Sequence, residues 1–271
     1  MRSIRLIILI TLIAVPAFAA SHLSTDSWLR KVIHGVQRDK AFVMRDSARH
    51  PYEELEFFGI KPDMTVVEIW PSKGYWTEIL APYLNPHGVY YVAFPVQSGD
   101  APKMEEAIDP LQAKMNANKS VYGKVNITQL GQDHYDIAPA GSVDMILTFR
   151  NLHNWMKAGY AKEVLAGYYK ALKPGGILGI EDHRAANDTP QDLKALSGYI
   201  RQDYAVTLAE QSGFEFVGSS EINANPKDTK NWPKGVWTLP PSFALGAQDH
   251  DKYEAIGEAD NFVLKFKKPD R

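Results

Sequence analysis

Two short stretches hold most of the side chains suited to chemistry. FRNLHNW supplies Arg150, Asn151, His153, Asn154 and Trp155, and EDHRA supplies Glu181, Asp182 and His183. A histidine titrates near neutrality, so His153 can take a proton from a nucleophile. Asp182 or His183 would complete an acid–base pair with it. Asn151 or Asn154 would orient a bound molecule, and Trp155 would wall a pocket. Plainer roles compete: an asparagine capping the next helix, or Asp182 as a helix cap or in a surface ion pair with Arg184, worth up to about 1 kcal/mol. Together with Asp133 and His134 of GQDHY these groups would suit a metal. No ligand spacing such as H-x-x-x-H is present, so no metal site is expected.

Both stretches follow apolar runs that read as strands, GSVDMILTF and LKPGGILGI. TVVEI, GVYYVAFPV and VNITQL read the same way, and helical patterns separate them: TEILAPYL, residues 103–118 and AGYAKEVLAGYYKAL. Such alternation predicts an α/β fold with a parallel sheet covered by helices on both faces. Ligands bind outside the carboxyl ends of the strands in such sheets. The first of these turns is EIWPSKGYW, where Gly74 is the lone glycine. Its Pro71 lacks an N–H and fixes φ. Lys73 reads as solvated.

Residues 24–50 carry an imperfect helical stripe, and Arg45, Asp46, Arg49 and His50 read as its solvated face, with a lid or acceptor site as the alternative. PYEELEFFGI reads as a short helix from Pro51 to Gly59. Residues 189–212 also read as helical. FEFVGSSEI and NFVLKFKKP are strands separated by a Trp/Pro-rich insertion, residues 223–260, a surface flap or a lid over the site.

The N-terminus, with Arg2, Arg5, an apolar run of about 13 residues and Ala17-Phe18-Ala19, has the order of a cleaved secretory leader. A spanning helix needs about 20 residues. The expectation is a leader at 1–19, a helical extension at 20–60, a sheet domain at 61–271, export to a periplasm and no membrane insertion after cleavage. With no cysteine, disulfides and thiolate chemistry are excluded. The net charge of −2 falls to −4 without the leader's two arginines, which gives no basic footprint for nucleic acid. No G-x-S-x-G elbow and no G-x-x-x-x-G-K-[ST] loop is present. Nothing in the sequence sets an oligomeric state.

TVVEIWPSKGYWTEILAPYL, AGSVDMILTFRNLHNW, LKPGGILGIEDHRA and the closing SGFEFVGSSEI…DNFVLKFKKP together resemble class I S-adenosylmethionine-dependent methyltransferases. RDSARHPYEELEFFGIKP with FRNLHNW resembles an exported branch of predicted methyltransferases. The resemblance implies a Rossmann-like methyltransferase fold, mostly parallel, with a C-terminal antiparallel pair and an N-terminal helical extension. It implies S-adenosylmethionine as cofactor and a small-molecule acceptor. Glu68 matches the family's acid before the first loop, Gly74 its last glycine, and Pro71 and Ser72 stand where that loop is most permissive. Asp133 matches in type the residue that meets the adenine, and Asn151 would hold the cofactor's amino group. Three departures stand out, the first being the stiff loop at Pro71, which offers one donor fewer. The second strand ends in Phe94 and Pro95 where the family has an acid for the ribose, and the next acid is Asp100. A lysine about 6 Å from a sulfonium would cost about 3 kcal/mol at an effective dielectric near 20. The stiff loop, Lys73 and the missing acid favour an alternative, the same fold used as a ligand-binding protein without transfer chemistry.

Overall fold

The computed structural model describes residues 27–85, 87–96 and 102–270, with the side chains of 102–109 left out. The leader expected at 1–19 and Asp100 lie outside the described residues.

Eight strands follow in chain order: β1 (Thr65–Ile69), β2 (Val89–Pro95), β3 (Val125–Leu130), β4 (Val143–Phe149), β5 (Leu172–His183), β6 (Glu215–Ser220), β7 (Pro233–Val236) and β8 (Asn261–Lys267). Seven of them form one sheet in the order β3-β2-β1-β4-β5-β8-β6. The first five strands are parallel, and β8 lies antiparallel between β5 and β6. The chain builds outward from β1 through β2 to β3, then returns to place β4 on the other side of β1. That reversal leaves a crevice at the carboxyl ends of β1 and β4.

Burial follows the two-residue period of a strand. In β1, Val66 packs with the helices Ser27–Ile33, Pro51–Phe58 and Thr77–Leu84 on one face. Val67 and Ile69 pack on the other face with Trp155, Tyr168 and Phe262. The register sets Ile69 beside Thr148, and Thr148 beside Ile180, so the ends of β1, β4 and β5 adjoin.

The expected helix over 24–50 is broken into Ser27–Ile33, Lys40–Val43 and Asp46–Arg49. Asp39 ends the continuity, because its carboxylate accepts from Ala41 N at 2.8 Å as an N-cap. Val36, between the first two of these helices, is fully exposed. The expected helix over 189–212 is confined to Gln202–Gln211. Upstream, Asp192 accepts from the N–H groups of Lys194 and Leu196, bonds that compete with a helical ladder. Pro51–Phe58 forms as expected and stops at Gly59, whose φ is 82°. The insertion 223–260 builds a small cluster with Tyr199, in which Val236, Leu239 and Tyr253 are buried against Trp232 and Trp237.

Candidate functional site

The turn after β1 has a left-handed backbone at three alternating residues: Trp70 (φ 46°), Ser72 (φ 55°) and Gly74 (φ 93°). Only the last is glycine, so the other two each carry roughly 1–2 kcal/mol of backbone strain. The sequence reading saw one glycine and missed that the glycine-type path is kept without glycine. Trp70 is anchored at both ends. Its N–H donates to Ala93 O at 2.8 Å, and its indole Nε1 donates to Leu130 O at 3.0 Å. The ring therefore crosses the end of β2 and meets Trp155 edge-on, centroids 5.5 Å apart. Pro71 is buried, and its carbonyl accepts from Gly74 N at 2.9 Å. A Cβ on Gly74 would meet Leu111 Cδ1 at 2.5 Å, so this glycine lets the helix Pro102–Ala117 close on the turn.

Glu68 is buried at the end of β1. Its carboxylate accepts from Thr77 Oγ1 at 2.9 Å and from the Tyr90 hydroxyl. Burial outweighs those hydrogen bonds and pushes its pKa up to about 7.

On the β4–β5 side, Asn151 donates from Nδ2 to Ile69 O at 3.0 Å and ties the fourth-strand loop to β1. It makes no side-chain cap to the helix Leu152–Ala158. His153 enters on that helix. Asp182 Oδ1 receives His153 Nδ1–H at 2.8 Å and His183 N at 2.8 Å, while Oδ2 receives His153 N at 3.1 Å. Burial works against the charged carboxylate, but His153 and the His183 backbone outweigh it and hold Asp182 below the ordinary carboxylate range. A carboxylate only accepts, so His153 carries its proton on Nδ1 and keeps Nε2 for exchange. The expected ion pair of Asp182 with Arg184 is not formed; Arg184 pairs with Glu221 at 2.6 Å. His183 Nδ1 bonds Asn261 Oδ1 at 2.7 Å, and burial drives its pKa down to about 3, so the ring is neutral. The two histidine rings lie 5.3 Å apart. His153, Asp182 and His183 each offer an atom within 4.8 Å of the others, close enough to hold a cation. Three N–H donors already engage Asp182, which makes His153 and Asp182 a hydrogen-bonded relay, with His183 joined to it through its backbone N–H.

A second network sits beside this relay. Arg45 Nε at 2.6 Å, Arg49 Nε at 3.3 Å and Arg150 Nη1 converge on Glu258. Arg150 also pairs with Glu181 at 3.1 Å. Burial raises the cost of the Glu258 charge, yet Arg150, Arg49 and Arg45 hold its pKa far below the ordinary range. Glu54 is pushed well up by burial and by Glu181, and Asn223 donates to it at 2.7 Å. Arg49 is buried, so the reading of Arg45 to His50 as a solvated helix face is overturned there: the packed insertion supplies the counter-charge.

These elements enclose a cavity of about 730 Å³. Glu68, Pro71, Asn151, His153 and His183 line it, with Lys73 and Asn154. Asp182 and Gly74 stand behind that wall. Asp133 does not join them; it is exposed in the turn after β3, on a separate surface depression with His134 and Tyr135. Trp155 is fully buried in the core and walls nothing. Trp237, Pro240 and Pro241 of the insertion form the far side of the cavity, so the segment is both packed and part of the site. None of the described lining residues belongs to β2 or β3. Sequence reasoning missed Glu258 and the aromatic wall, for which no motif exists.

No protein-family model and no curated protein matches the chain. Solved structures do. The chain is similar to an S-adenosylmethionine-dependent methyltransferase from Aquifex aeolicus, with a TM-score of 0.56, 17% identity, and 89% of this chain covering 96% of that one. The chain has the methyltransferase fold. It is also similar to the [4+2]-cyclase SpnF, with a TM-score of 0.55, 13% identity, and 82% of this chain covering 80% of that one. A cyclase on the methyltransferase fold shows that the fold does not by itself dictate the reaction. Here the methyltransferase fold ends β2 in a buried Phe94 and in Pro95.

Proposed function

We propose that the chain transfers a methyl group from S-adenosylmethionine to a small-molecule acceptor. The observation that carries this reading is the left-handed turn at Trp70, Ser72 and Gly74 opening on a cavity at the switch point of a methyltransferase fold. The cavity, at about 730 Å³, lies within the roughly 300–1,000 Å³ of small-molecule and cofactor sites. The residues fit the methionine half of the cofactor: Glu68, Pro71 and Asn151 would hold it at the ends of β1 and β4. When bound, the cofactor supplies an electrophilic methyl group. His153 takes the acceptor's proton at Nε2, and Asp182 fixes the ring and favours the imidazolium so formed. Pro240, Pro241 and Trp237 limit the approach of water from the far side. The leader at 1–19 supports export to the periplasm, which N-terminal sequencing of periplasmic protein would check.

One observation favours a second reading, binding without transfer. The Trp70 indole occupies the end of β2, where a ribose acid would stand on this fold.

Calorimetry with S-adenosylmethionine and S-adenosylhomocysteine separates the two. A micromolar constant, about −8 kcal/mol, supports transfer; no heat at millimolar ligand with the protein folded overturns it. With an acceptor in hand, His153→Gln lowers turnover by about 10²–10⁴-fold and leaves cofactor affinity unchanged.

A further inference from the structure

Charge is unevenly shared around the cavity. Four lining residues are cationic, Arg45, Arg49, Lys73 and Arg150, and one, Glu68, is acidic. The Glu68 carboxylate is already engaged by Thr77 and Tyr90. Behind the wall Glu258 is shared by three guanidiniums, and Arg150 draws also on Glu181. Glu68, Glu181 and Glu258 therefore face four cations, and Asp182 is engaged by His153. Arg45 is the most open of the three arginines, with its side chain 23% exposed, and among the described residues it donates only through Nε. Lys73 is exposed and forms no ion pair among the described residues. Burial, with Arg150 close by, lowers the Arg49 pKa to about 10.

Shape is equally one-sided. Trp76 stacks on Phe149 with centroids 4.0 Å apart, Phe42 meets Tyr75 at 5.8 Å, and Trp237 meets His153 at 5.9 Å. All of these line the cavity. Flat aromatic walls select flat apolar bodies, and a dehydrated guanidinium selects a carboxylate that it can grip with two parallel bonds.

We infer that the acceptor is a small planar carboxylate, its charge seated against Arg45 with Lys73 nearby and its ring lying against the aromatic lining that includes Phe42 and Trp237. The inference rests on the transfer reading above. A carboxylate at this pole has two sources, the acceptor or the methionine part of the cofactor, and the structure's aromatic wall favours the acceptor.

The test uses the full chain and two matched probes, 4-hydroxybenzoate and its uncharged counterpart 4-hydroxybenzamide, titrated by calorimetry with and without S-adenosylhomocysteine. The expected result is benzoate binding at least tenfold tighter than benzamide, kept when S-adenosylhomocysteine is present. Arg45→Gln should remove the tenfold preference while benzamide binding stays. Because Arg45 belongs to a buried network, Lys73→Gln is the second variant; it is exposed, folds without penalty and should reduce the preference at least threefold. Equal affinity for both probes, or no binding of either to folded protein, overturns the inference. So does competition between benzoate and S-adenosylhomocysteine, which would assign the charge to the cofactor. Benzoate selectivity with no cofactor binding would overturn the transfer reading and leave the anion site standing.

Discussion

The two halves of the sheet's carboxyl edge handle polar groups in opposite ways. On the β1–β2 side they turn inward: Glu68 to Thr77 and Tyr90, the Trp70 indole to Leu130 O. Shape there comes from a strained backbone. On the β4–β5 side His153, His183 and Arg150 reach the cavity, held from behind by Asp182, Asn261, Glu181 and Glu258. Shape there comes from charges that hold one another. One half is thus mainly a scaffold, though Glu68 and Lys73 also line the cavity, and the other is the chemical face that carries the acid–base pair.

The hardest break falls on the chemical face. Glu258→Gln leaves three arginines converging without their shared carboxylate. Removing one partner of a buried pair costs about 3–5 kcal/mol, so urea denaturation should show a loss of that size. An unchanged midpoint would mean that the arginines hold their places without Glu258, and the contrast between the halves would fail.

A smaller effect separates the halves by the sign of their pH dependence. The folded pKa of Glu68 is about 7, above its usual 4.5. Its stabilising contribution is therefore complete below pH 4.5 and is lost as pH rises through 7. Glu68→Gln should remove a decline of about 3 kcal/mol over that window. Glu258 is shifted downward, so its contribution is present above pH 4.5 and is lost as pH falls. Stability curves of wild type and Glu68→Gln from pH 4 to 8 check this; parallel curves would sink it.

The smallest effect sharpens the scaffold side. Ser72→Gly relieves left-handed strain of roughly 1–2 kcal/mol and costs about 0.5–1 kcal/mol of chain entropy. The net gain should be at most about 1.5 kcal/mol in thermal denaturation. A loss would show that the serine side chain stabilises the turn.

The sheet was legible because strand and helix periods differ and alternate from Lys61 onward. His153 and Asp182 were legible as residue types just past strand ends. Their bond, across 29 residues, needed the β4–β5 register. The Arg45–Glu258 pair spans 213 residues and belongs to an insertion without periodicity, so nothing local announced it. Trp70 was illegible for another reason. A tryptophan with positive φ breaks a local rule, and only the waiting carbonyl of Leu130 and the face of Trp155 make it tolerable.

The last strand has a consequence for how the pocket is held together. β8 follows every other strand of the sheet in chain order yet lies inside it, between β5 and β6. Glu258 and Asn261 arrive with it, and they are the partners of Arg150 and His183. A chain cut before Glu258 would leave Arg150 and the His183 ring without these partners. The pocket's supports are therefore gathered from segments far apart in the chain, and no fragment lacking β8 and the turn before it carries them all.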